Sequence, residues 1–162
     1  MSDIAAQRDI ARRLEQTQVI ERPGASGQTT FYASGTFTPA FTGSGTPGTF
    51  TYSGQSGRYT RVGNLCYVRI YLEVSAVSVA PTGDLNVTGL PFTSAASFGA
   101  LAVGYLNSFN LTANCVQLTA YVEASSTLIR LMEVFDNAGT TRFPAASFQP
   151  SGIILSGAYE VA

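Results

Sequence analysis

Residues 66–75 read CYVRIYLEVS, with an apolar side chain at every second position. In an extended chain Val68, Ile70, Leu72 and Val74 share one face, while Tyr67, Arg69, Tyr71, Glu73 and Ser75 share the other. A helix repeats every 3.6 residues and would scatter both sets around its axis. The run therefore reads as a strand with one dry and one wet side. The same pattern predicts strands at 30–37, 48–53, 57–63, 84–89, 99–106, 115–124, 127–135 and 152–161. Turn-forming clusters punctuate them: GSGTPG (43–48), SGQSG (53–57), Gly63-Asn64, PTGD (81–84), NSFN (107–110), ASS (124–126) and DNAG (136–139). There is no alternation of strands with helices. A mainly β fold follows, an antiparallel β-sandwich or jelly roll of about eight or nine strands over residues 30–162.

The first 22 residues differ in kind. They hold 8 of the chain's 19 charges and neither glycine nor proline. Ser2 or Asp3 caps the first turn of a predicted α-helix over 1–22, and Asp3 suits its dipole. Ile10 and Leu14 lie four residues apart, and Asp9 and Arg13 pair at the same spacing on the outer side. No heptad frame keeps an apolar seam for two repeats, so this is no free-standing coiled coil. An isolated helix of about 20 residues is marginal in water. The stretch is therefore expected to order against another surface through Ile4, Ile10 and Leu14. Pro23-Gly24 ends it, and residues 23–29 form a hinge.

Composition narrows the chemistry. Charged residues make up 12% of the chain against a usual quarter, the net charge is −1, and every base is arginine. Without histidine there is no Ser-His-Asp or Cys-His nucleophile and no histidine metal site. Without lysine there is no Schiff base and no P-loop. A charge near zero offers no electrostatic footprint for nucleic acid or an anionic membrane. No apolar run reaches 18 residues, so no membrane insertion is expected, and no signal peptide opens the chain. Cys66 and Cys115 sit in apolar strand-like runs and read as buried free thiols; a disulfide between them is allowed by count alone. So poorly charged a surface is best explained by copies covering one another in a homo-oligomer.

Two segments carry a resemblance. Thr51, Tyr52, Gln55, Gly57, Tyr59, Thr60, Arg61, Gly63 and Asn64 match a "TYxxQxGxYTRxGN" hairpin. Gly83, Asp84, Leu85, Val87, Gly89, Leu90, Pro91 and Phe92 match a following "GxLxIxGLPF". Together they resemble a β-domain of tailed-bacteriophage structural proteins: tail fibres, head or neck fibres and related virion proteins. The resemblance covers roughly residues 48–95. It implies a homotrimer of jelly-roll-like domains in the virion, with an N-terminal segment docked on neck, tail or capsid proteins. In that frame Gly57 and Gly63-Asn64 supply positive-φ turns, Leu90-Pro91-Phe92 closes the sandwich edge, and Tyr59 and Arg61 share a face where Arg61 stacks or crosses a subunit boundary.

Glycosidase chemistry requires two carboxylates at a set separation. From residue 30 onward the acids are Glu73, Asp84, Glu123, Glu133, Asp136 and Glu160. Glu73, Glu123 and Glu133 are read as wet strand positions, and Asp84 and Asp136 as turn residues, with no pairing signal. No catalytic residue, metal site or cofactor is predicted, and the chain is expected not to be an enzyme. Two functions remain. One is a short trimeric fibre that projects its head toward a host-surface glycan, with loops 43–57, 107–114 and 136–148 as the exposed candidates. The other is a capsid decoration, cement or collar protein that binds no receptor.

Overall fold

The computed structural model describes residues 19–20, 30–136 and 138–162. Their strands are β1 (Val19–Ile20), β2 (Thr30–Phe37), β3 (Ala40–Gly43), β4 (Thr49–Val62), β5 (Leu65–Val79), β6 (Leu85–Thr88), β7 (Gly99–Asn107), β8 (Cys115–Val122), β9 (Ile129–Phe135), β10 (Thr140–Arg142) and β11 (Gly152–Glu160). Every ladder is antiparallel. One path runs β1-β2-β4-β5-β11-β7-β8-β9-β6-β3, with β10 added on β9.

The sheet rolls up. β7 pairs with β8 only over Gly99–Leu101, although both strands run on beyond that ladder. At its far end, the Phe41 backbone N–H donates to the Tyr52 hydroxyl at 2.8 Å, and Gln55 Nε2 donates to the Pro39 carbonyl at 2.8 Å. β3 thus returns over β4, and the apolar faces enclose a core. Val68, Ile70, Leu72 and Val74 are at most 3% exposed, as their alternation predicts, and meet Ile153 and Leu155 of the neighbouring strand. Each such burial is worth roughly 1.5–3 kcal/mol before ordering costs. Rings close both ends. Phe41, Phe50, Phe109, Phe143 and Phe148 interlock at one, with Phe41 and Phe148 centroids 4.8 Å apart. Tyr59 and Phe92 meet edge to face at 5.2 Å at the other.

Several expectations change. The helix predicted over 1–22, and Ile4, Ile10 and Leu14 on it, lie outside the described residues except for Val19–Ile20. Those two pair as strand with Phe31 and Thr30. The hinge at 23–29 lies outside as well. SGQSG is no turn: residues 53–57 stay within β4, which continues through bulges near Tyr52. Its glycines serve ring packing instead. A Cβ on Gly54 would lie 2.5 Å from the Tyr71 ring, and one on Gly57 2.7 Å from the Phe37 ring. Gly57 therefore supplies no positive-φ turn, and neither does Asn64; Gly63 does, at φ +61. β3 and β10, only four and three residues long, lie outside the predicted strands. Glu133 is not on a wet face but 1% exposed. Loop 107–114 folds over it, and Thr112 donates its backbone N–H and its hydroxyl to the carboxylate at 2.6 and 2.7 Å. Both cysteines are free; Cys66 is buried and Cys115 half-buried.

Candidate functional site

The motif residues of the first strand pair form a clasp. Two-residue hairpin Gly63-Asn64 joins β4 to β5, with Val62 opposite Leu65. Arg61 bends back, donating Nε–H to the Gly63 carbonyl at 2.8 Å, and its guanidinium lies 4.8 Å from the Phe92 ring centroid. That spacing is cation–π range. Tyr59 packs on the same ring, Leu90 is buried in the core, and Pro91 between Leu90 and Phe92 is half-buried. The Tyr159 hydroxyl donates to the Phe92 carbonyl at 3.0 Å, and the Asn64 carbonyl accepts the Val161 N–H at 2.7 Å. Tyr59, Arg61, Phe92 and the closing strand are thus brought together, while Gly63 and Asn64 shape the hairpin beside them. Burial, with help from neighbouring Cys66, holds the Tyr159 phenol well above its ordinary value. Burial also raises the Cys66 thiol.

The wet face of β4, β5, β11 and β7 is the broadest feature left open. Strand register sets its rows: Val62–Leu65–Glu160, then Thr60–Tyr67–Ala158, Arg58–Arg69–Ser156, and Ser56–Tyr71–Ile154–Tyr105. Arg58 and Arg69 stand directly opposite each other and are both exposed. Like charges in that position repel. Neither makes a hydrogen bond or ion pair with another described residue; the two ion pairs there are Arg130–Glu123 and Arg142–Asp84. Shallow hollows flank the couple, lined by Tyr67 on one side and by Tyr71 and Ile154 on the other. The Tyr71 hydroxyl donates to the Glu73 carboxylate, and that bond holds the phenol above its usual range. Sequence reasoning placed Tyr67, Arg69 and Tyr71 on the wet face but missed Arg58 beside them. The cross-strand register that joins them is a long-range property.

Five of the six described carboxylates hold partners, and Asp136 is exposed. Glu123 accepts from Arg130, which also donates to Asn86 at 3.0 Å. Asp84 meets Arg142 at 3.6 Å, and Glu160 accepts from Ser97 at 3.1 Å. Among the described residues no group of three Cys, Asp or Glu side chains is placed to hold a metal ion. In loop 107–114, exposed Asn114 has φ +67, a turn-forming conformation; Asn137 lies outside the described residues.

Known proteins add a setting. No protein-family model matches the chain. A capsule KN4-specific depolymerase of Klebsiella phage K64-1 is 31% identical to it over 120 residues. That match takes in 72% of this chain but only 15% of the depolymerase, so the chain spans a small part of its relative's length. Among solved structures, the Dettilon tailspike protein (gp208) superposes with a TM-score of 0.69, covering 81% of this chain and 24% of the tailspike at 21% identity. The second likeness is one of fold. The chain is a phage virion component. The expectation that it is not an enzyme is overturned, because the matched phage relative is by name a depolymerase. Composition and strand pattern carry no signal for it, and the name belongs to a protein of which this chain matches 15%.

Proposed function

We propose that this chain is a jelly-roll-like domain of a homotrimeric phage tail protein that engages, and takes part in degrading, a capsule polysaccharide on the host surface. The likeness to a phage capsule depolymerase over 120 residues carries this reading. The rolled sheet supports it, because closing both ends with aromatic clusters leaves a rigid scaffold from which loops project. In this reading residues 1–22 dock on the particle through Ile4, Ile10 and Leu14, and residues 30–162 face outward. Low net charge, −1 over the chain, suits close approach to an anionic capsule less by attraction than by lack of repulsion.

The test mixes the purified chain with a panel of purified capsule polysaccharides. Binding is read by calorimetry and polymer length by size-exclusion chromatography. The expected outcome is binding to one or a few capsule types, with shortening of the polymer when the chain is part of its full-length protein. Absence of binding to every capsule, together with normal adsorption of phage to decapsulated cells, would overturn the reading.

A further inference from the structure

We propose that the outer face of β4, β5, β11 and β7 is the surface on which copies of this chain meet, an inference that rests on the homo-oligomer reading above. Among the described residues, five of the eight large apolar side chains left exposed lie on this one face: Val62, Leu65, Tyr67, Tyr105 and Ile154, each 39–50% exposed. The strands between them carry Ser156, Ala158, Ala102 and Gly152, which keep the floor low enough for another backbone to approach. A low floor ringed by tyrosine and aliphatic side chains has the make-up of a protein–protein interface core.

The charges identify the occupant. Arg58 and Arg69 face each other in register and have no hydrogen-bond or ion-pair partner among the described residues. The same face also carries Glu73 and Glu160, which sit two rows away on opposite sides of the couple. Two rows along a strand is about 13 Å, beyond the reach of a direct ion pair within one chain. In a closed ring of copies, the carboxylates of one copy meet the arginines of the next. The face is thus balanced, two positive against two negative, as such a head-to-tail contact requires. A sugar polymer has no use for Val62, Leu65 and Ile154, whereas a neighbouring subunit buries all three. The shortage of charge across the whole chain has the same explanation.

The experiment uses the whole chain and reads two quantities. The first is native mass by light scattering for the natural sequence, for Tyr67→Lys/Ile154→Lys, and for Val116→Lys, which changes an exposed residue on β8 outside this face. The natural chain and Val116→Lys are expected at three times 17.1 kDa, and the double variant at 17.1 kDa with its strand circular dichroism retained. The second needs no variant: phenylglyoxal modification mapped by mass spectrometry. Arg142 is expected to react while Arg58 and Arg69 are at least tenfold slower. A natural chain of 17.1 kDa would sink the oligomer reading itself. An oligomer that survives the double substitution, with all three arginines reacting alike, would leave that reading intact and overturn the assignment of this face. Arginines that react freely in the protein alone, but are shielded by added polygalacturonate, would give the face to an anionic polysaccharide instead.

Discussion

Single residues in this chain are chosen for what their neighbours need. Gly57 looks like a turn glycine in the sequence, yet it lies inside a strand because the Phe37 ring covers it. Gly57→Ala is therefore expected to cost about 1–3 kcal/mol by overpacking. Gly139→Ala, with nothing within 4 Å, is expected to be nearly neutral, and urea unfolding measures both. Tyrosine sets the alkaline limit. Burial raises the phenols of Tyr159 and Tyr52 above their ordinary 10.0 and the thiol of Cys66 above 9.0. Below those ordinary values folded and unfolded chains hold the same protons, and this part of the stability is intact. As pH rises past 9 and then 10, the unfolded chain releases protons that the folded chain retains, so stability falls. With no histidine, melting temperature should stay level between about pH 6 and 8 and drop on the alkaline side. Tyr159→Phe should cost roughly 1 kcal/mol at neutral pH through the lost bond to Phe92, and shallow the alkaline loss. An unchanged alkaline slope in that variant would contradict the role given to its phenol.

At the scale of elements, the alternation of β5 dictates its own placement. Ile70→Asp puts an unpaired charge among side chains no more than 3% exposed, and is expected to abolish folding, as read by loss of a cooperative melt. A normal melt would mean the dry face had been misassigned. That strand, β2, β7 and β11 were legible in the sequence because a half-buried strand writes a period of two. The join of 48–53 with 57–63 was not, because a glycine spared for an aromatic ring looks the same as a glycine spared for a turn. β3 and β10 were hidden by their short length, and Glu133 by a loop that supplies its hydrogen bonds from 21 residues away. Arg61, expected to stack or to cross a subunit boundary, lies 4.8 Å from the Phe92 ring centroid, whereas Arg58 opposite Arg69 was not legible, since register is fixed by the paired strand. Residues 1–22 carry their own prediction. Leu14→Asp should lower incorporation of the protein into particles at least tenfold while leaving the melt of residues 30–162 unchanged, measured by blotting purified phage. Normal incorporation would remove the docking role from that segment.

For the whole molecule the governing fact is a shortage of charge. Nine arginines and ten acids serve 162 residues, and 8 of those 19 charges fall in the first 22. The rolled sheet that remains buries its aromatic ends and its dry faces but leaves tyrosine, valine, leucine and isoleucine together on one broad side. The proposed assembly with its own copies accounts for both the sparse charge and the open apolar face, and it would give the arginine couple carboxylates on a neighbour. The most direct test is sedimentation equilibrium of the natural chain across nanomolar to micromolar concentration. The account predicts a single species at three times 17.1 kDa throughout; a stable species at 17.1 kDa would contradict it.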